Sequence, residues 1–149
     1  MKIALASDHA GFEEKEKIKH TLDDLGVQYE DMGTTSTDSV DYPDYARKVG
    51  EAVAKGEVES GLLVCGSGTG MAIAANKVRG VRAAVAWTEE IARLAREHNN
   101  ANVLSLAARY TPDGELQNIV KAWFNAKFDG GRHERRVEKI AAIERDDLC

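Results

Sequence analysis

The sequence predicts an α/β protein: a Rossmann-like, doubly wound, five-stranded parallel sheet with helices on both faces. Three observations carry this expectation. Short apolar runs alternate with longer amphipathic stretches, as strand–helix repetition requires. The runs at 3–7, 62–65 and 103–106 are almost wholly apolar, as strands covered on both faces are. Chemically active residue types gather just after these runs, where open α/β sheets bind their ligands.

The elements follow in order. Residues 3–7 (IALAS) read as a buried first strand. Residues 11–25 form a helix, with Phe12, Ile18, Leu22 and Leu25 at helical spacing and Gly26 as its stop. A second strand is expected over 27–31 and a second helix over 45–54, ended by Gly56. Residues 62–65 form a third strand and 69–78 the helix after it; 81–86 and 88–97 repeat the pair. A fifth strand covers 103–106, and helices over 113–126 and 132–145 close the chain, parted by Gly130-Gly131. The whole, 1–149, is expected to be one domain.

Composition narrows the function. A hydrophobic fraction of 43% with 30% charged residues is that of a soluble globular protein. A net charge of -5 argues against non-specific nucleic-acid binding, which Lys and Arg drive. Cys65 and Cys149 form no CxxC pair and no disulfide framework. The opening MKIALASD is too short for a signal peptide, and no run of about 20 apolar residues offers a membrane span. These features point to a reducing cytoplasm.

The richest segment is Cys65-Gly66-Ser67-Gly68-Thr69-Gly70, at a strand end and opening a helix. Its glycines let the backbone approach a ligand closely, and the helix start offers unpaired N–H groups, suiting a phosphate or a reaction oxyanion. Met71 breaks both the dinucleotide fingerprint and a Cys-x5-Arg phosphatase loop. A thiol beside a helix N-terminus is placed to become a thiolate, so Cys65 reads either as a base or nucleophile or as a small buried hydrophobe. Asp8 and His9 follow the first strand and face the same crevice, or else finish the turn before the helix. His98 reads as a helix C-terminal cation or a general acid/base. Arg132 and Arg136 share a helix face and suit a phosphate or a solvated surface; Arg109 is a third candidate cation. With no HExxH and no close Cys/His cluster, no metal is expected.

Taken together, these motifs resemble the type B ribose-5-phosphate isomerases, a family that includes allose-6-phosphate and galactose-6-phosphate isomerases. The resemblance rests on residues 7–12 (SDHAGF), 41–46 (DYPDYA), 65–71 (CGSGTGM), 74–77 (AANK), 96–99 (REHN), 102–104 (NVL) and 130–137 (GGRHERRV), in one order over nearly the whole chain. It implies an aldose–ketose isomerase that uses no cofactor. Cys65 would move the proton between C2 and C1, with the enediolate oxygen held by the backbone around Ser67, Gly68, Thr69 and Gly70, and Gly66 lining the site. Asp8 and His98 would open the furanose ring, and Asn99 would help hold the substrate. His9, Arg109, Arg132 and Arg136 would grip the phosphate, and Tyr42 would line the pocket. Relatives lacking the cysteine carry a Glu where Met71 stands, so here the Cys65 route is required. The family's homodimers, or tetramers built from them, imply shared sites, with His98, Asn99 and Arg109 entering the partner's. A non-catalytic sugar-phosphate or nucleotide-binding module, or one subunit of a galactose-6-phosphate isomerase, are the other readings. The preferred sugar stays open.

Overall fold

The computed structural model describes residues 1–146; Cys149 lies outside them. The elements run β1 (Lys2–Ser7), α1 (Phe12–Asp24), β2 (Gln28–Asp31), α2 (Tyr42–Ala54), β3 (Ser60–Cys65), α3 (Thr69–Ala75), β4 (Ala83–Val85), α4 (Glu89–Asn99), β5 (Val103–Ala107), α5 (Glu115–Asn125) and α6 (Arg132–Asp146). The strands form one parallel sheet in the order β2-β1-β3-β5-β4, so the expected fold class holds. Among the described residues no helix is long and apolar enough to cross a membrane.

Strand order decides where the helices go. Parallel crossovers are right-handed, so steps leftward and rightward across the sheet put their helices on opposite faces. β1→β2 and β4→β5 run one way; β2→β3 and β3→β4 run the other. Accordingly Ile18 and Leu22 of α1, Ala92 and Ala95 of α4, and Ile119 and Trp123 of α5 share one core. Ala46 and Val49 of α2 and Met71 and Ala75 of α3 share the second. Side chains alternate along β3: Leu62 and Val64 enter the first core, Leu63 and Cys65 the second. The loops after β1 and β3 therefore diverge to opposite faces and leave a crevice between Asp8 and Cys65. That crevice depends on one close approach. A Cβ on Gly11 would lie 2.3 Å from the Val64 carbonyl oxygen, so only glycine lets α1 start against the end of β3.

Element ends depart from the sequence expectation in physical ways. α3 stops at Ala75, short of 78, because the Asn76 side chain accepts from the Ala83 N–H at 2.7 Å and donates to its carbonyl at 3.0 Å. Of the apolar run 81–86 only Ala83–Val85 is strand; the Arg82 N–H goes instead to the Asn102 side chain at 2.7 Å. α2 begins at Tyr42, before the expected 45, with Pro43 in its first turn, where a missing N–H is harmless. Gly114, at φ 85°, delays α5 to Glu115.

A buried cation anchors the loop after β2. The Lys15 side chain is 0% exposed; its Nζ donates to Asp31 Oδ1 at 2.7 Å and to the Thr34 carbonyl at 2.6 Å. Lys19 Nζ reaches Asp31 Oδ2 at 2.7 Å, and the Gly33 N–H donates to Asp31 Oδ1 at 2.9 Å. Lost hydration pushes the Asp31 carboxyl up, but the hydrogen bonds from Lys15, Lys19 and Gly33 outweigh it and hold it below the usual carboxylate range. A depressed folded-state pKa stabilises above the unfolded value and loses that stabilisation as pH falls through the folded one. Asp31→Asn should therefore cost about 1–3 kcal/mol at pH 7, the range for leaving a buried donor, here the Lys15 ammonium, short of a partner. The gap from the native chain should begin to narrow near about pH 4, the ordinary Asp value, and close only as the pH falls through the lower folded-state value. Urea midpoints followed from pH 7 into the acid range check both parts.

Candidate active site

One group of the expected residues meets at the carboxyl edge of the sheet. Cys65, 5% exposed, ends β3, and its Sγ accepts the Gly68 N–H at 3.1 Å. Gly68 is left-handed at φ 76°, and a Cβ there would come within 3.1 Å of the Leu106 backbone. Ser105 Oγ donates to the Gly68 carbonyl at 2.6 Å. Gly68 is thus held on both sides, its carbonyl by Ser105 of β5 and its N–H on the sulfur, the latter an interaction stronger for thiolate than for thiol. Ser67 is exposed, its Oγ accepting the Thr69 N–H at 3.3 Å. Tyr42 covers Gly70 so closely that a Cβ would lie 2.7 Å from the ring.

β1 pairs directly with β3, Ser7 opposite Val64, which sets Asp8 and His9 beside Cys65. Asp8 is buried, with Oδ1 accepting the Gly11 N–H at 3.1 Å. His9 Nδ1 accepts the Val40 N–H at 3.2 Å, leaving the other ring nitrogen to donate. Arg109 lies here too: its N–H donates to the Gly66 carbonyl at 3.0 Å, and its Nη1 is 3.5 Å from where a Gly66 Cβ would be. The guanidinium sits over the glycine loop of its own chain.

The second group is elsewhere. His98 and Asn99 end α4, which feeds the start of β5. The Asp129 N–H donates to the Glu97 carbonyl at 3.0 Å, so the segment before α6 is clasped to the end of α4. Gly130 and Gly131, at φ 67° and 56°, then turn the chain into α6. His133 stacks on His98 with ring centroids 4.1 Å apart and planes 9° from parallel; Asp129 Oδ2 is 4.0 Å from His98 Nε2. Lost hydration, the His98 charge and the guanidinium groups of Arg132 and Arg136 hold His133 below the usual imidazole value, against the pull of Asp129. Arg132 and Arg136 are exposed.

The two groups do not meet within one chain. Cys65 is opposite Ala107 at the end of β5, whereas His98 precedes Val103 at its start. Four residues of strand separate those edges by about 13 Å. The sequence missed Ser105, Asp129 and His133. Ser105 is a mid-strand residue with no local signal, and Asp129 and His133 are far from His98 in the chain. They also revise the expectation of no close cluster: His98, Asp129 and His133 each bring a ligand-type atom within 4.8 Å of the others. The parallel stacking opposes a shared cation, since ring lone pairs lie in planes that do not converge.

The arrangement matches known proteins over nearly its full length. The family model of ribose/galactose isomerases matches residues 3–140. Ribose-5-phosphate isomerase B of Escherichia coli is 48% identical over 143 residues, covering 96% of each chain. A solved structure of ribose-5-phosphate isomerase B from Clostridium thermocellum superposes with a TM-score of 0.96 at 47% identity, covering 98% of this chain and 99% of that one. That of Mycoplasma genitalium, with bound ribulose-5-phosphate, superposes at 0.93 with 43% identity, covering 97% and 96%. The chain therefore belongs to the ribose/galactose isomerase family.

Proposed function

We propose that this protein interconverts ribose 5-phosphate and ribulose 5-phosphate through an enediolate, with Cys65 as the base and each active site built from two copies of the chain. The observation that carries the chemistry is the fixed Gly68 N–H on Cys65 Sγ, beside Asp8 at the neighbouring strand end. The resemblance to relatives that act on these sugars carries the substrate.

The steps follow from the residues. Asp8 takes the C1 hydroxyl proton while His98 gives one to the ring oxygen; the C1–O bond to the ring breaks and an aldehyde forms. Cys65 then removes the proton from C2, acidified by the adjacent carbonyl. The electron pair moves onto the carbonyl oxygen, and backbone N–H groups of the loop from Gly66 to Gly70, with Ser67 and Thr69, stabilise that charge. As Cys65 returns its proton to C1, the C2 hydroxyl gives up its proton and O1 takes one, so the double bond moves to C2–O and the ketose forms. The Arg132 and Arg136 guanidinium groups, with Arg109 and His9, hold the phosphate, Asn99 the sugar hydroxyls, and Tyr42 closes the pocket. Neither a cofactor nor a metal is needed for this balance.

The separation of the two groups supports a second copy. A surface for it is present: Ile140 and Ile143 of α6, Trp87 after β4 and Tyr110 after β5 are all exposed. A groove of about 490 Å³ lined by Asn99, Ala84, Ile140 and Ile143 runs beside the β4 edge. The exposed apolar surface that Ile140 and Ile143 give this groove is a mark of an interface. A cytoplasmic setting suits the thiol of Cys65, which must stay reduced to act as a base.

Cys65→Ala should lower the turnover of ribose 5-phosphate by at least about 100-fold, the lower bound for losing a general base, with circular dichroism and melting unchanged. A variant keeping more than about a tenth of wild-type turnover would make Cys65 structural and favour a binding module.

Arg136→Ala should lower kcat/KM for ribose 5-phosphate roughly 10- to 150-fold, the value of one charge-assisted hydrogen bond. Turnover of free ribose should be poor in both proteins and nearly equal. If both substrates suffer alike, Arg136 is structural and the phosphate is held elsewhere.

A further inference from the structure

Ring opening places a demand on His98 that its position does not by itself meet. The residue lies in the last turn of α4, half-exposed, and its own helix offers nothing that fixes the ring. A proton donor whose ring swings freely spends little time aimed at one oxygen atom, and small misplacements of reacting groups are costly. The structure supplies a support from the next segment. The Asp129 N–H pins the loop to the Glu97 carbonyl, two left-handed glycines start α6, and His133 arrives with its ring flat on His98, 4.1 Å away. Asp129 Oδ2 faces His98 Nε2 from 4.0 Å.

We propose that His133 is a positioning residue: its ring, stacked face to face on His98, holds the His98 imidazole in the orientation from which it transfers a proton to the sugar ring. This rests on the ring-opening reading of His98 given above. Two imidazolium ions at this spacing would repel, and Arg132 and Arg136 add further positive charge, so the charged form of His133 is disfavoured in the stack.

The substrates separate this role from others. The aldose is a ring and must be opened. Ribulose 5-phosphate, with its C5 oxygen esterified, is acyclic, so exchange of its C1 hydrogen with deuterated solvent requires Cys65 and the phosphate grip but no ring-opening group. His133→Ala should lower kcat for ribose 5-phosphate about 10- to 100-fold with KM changed less than about threefold. C1 exchange from ribulose 5-phosphate should stay within about threefold of wild type. His133→Phe, which keeps a flat ring without a titratable group, should recover most of kcat, and His133→Leu should not. His98→Asn, run in parallel, should lose aldose turnover and keep exchange.

The outcomes are distinct. If His98→Asn turns over the aldose normally, the reading of His98 fails and the inference falls with it. If His98→Asn is impaired while His133→Ala matches wild type, only the positioning role is overturned. A His133→Ala variant that loses exchange as fully as turnover, or whose defect lies in KM, would place His133 with the phosphate grip instead. Failure of His133→Phe to outperform His133→Leu also overturns the stacking role.

Discussion

In a parallel sheet each strand must be followed by a segment that carries the chain back to the other edge, and this constraint shapes the site. It puts every strand–helix turn, and so Asp8, Cys65 and the glycine loop, on the carboxyl edge. It equally puts the ends of the crossover helices, including His98 and Asn99 of α4, on the amino edge. Side chains of ordinary reach cannot close a gap of about 13 Å. A catalytic site that draws on both groups is therefore assembled by bringing the carboxyl edge of one chain to the amino edge of another. The strand order sharpens this. Because β5 is inserted between β3 and β4, α4 crosses the face opposite α3 and delivers His98 beside α6.

Within the glycine loop, rigidity matters more than any single charge. The sulfur of Cys65 faces the Gly68 N–H, and the carbonyl of the same residue is tied to Ser105. Gly68 and Gly70 permit this because the first is left-handed against the β5 backbone and the second lies under the Tyr42 ring. Dipoles fixed before the reaction need no reorganisation when negative charge appears on the enediolate. On the proposed reading, the same economy lets a chain with net charge -5 hold a sugar phosphate through local guanidinium groups and peptide N–H groups.

Much of the fold was legible because its strands are covered on both faces. IALAS and LLVC stand out as apolar runs, and the rule that ligands sit beyond strand ends brought Asp8 and Cys65 together without coordinates. The errors came where side-chain hydrogen bonds override hydrophobic pattern. Val78 continues the apolar spacing of α3, but Asn76 has already bonded to the backbone of Ala83. The second half of the site was harder to read. His98 and Arg132 were visible as residue types, but the strand-end rule points to the wrong edge for them. The stack of His133 on His98 depends on how Gly130 and Gly131 turn the chain, which periodicity does not encode. Arg109 was visible as a cation after the fifth strand, while its place over Gly66 follows from the turn after β5.

The shared site is the central claim, and subunit mixing tests it most directly. Cys65→Ala removes a residue from one half of the site and His98→Asn from the other. Refolded together at equal amounts, random pairing makes half of the dimers mixed, and each mixed dimer contains one intact site of its two. Activity should then rise from near zero in either variant alone to about a quarter of wild type. A mixture no more active than the average of its two parents would contradict the account and place the whole reaction within a single chain.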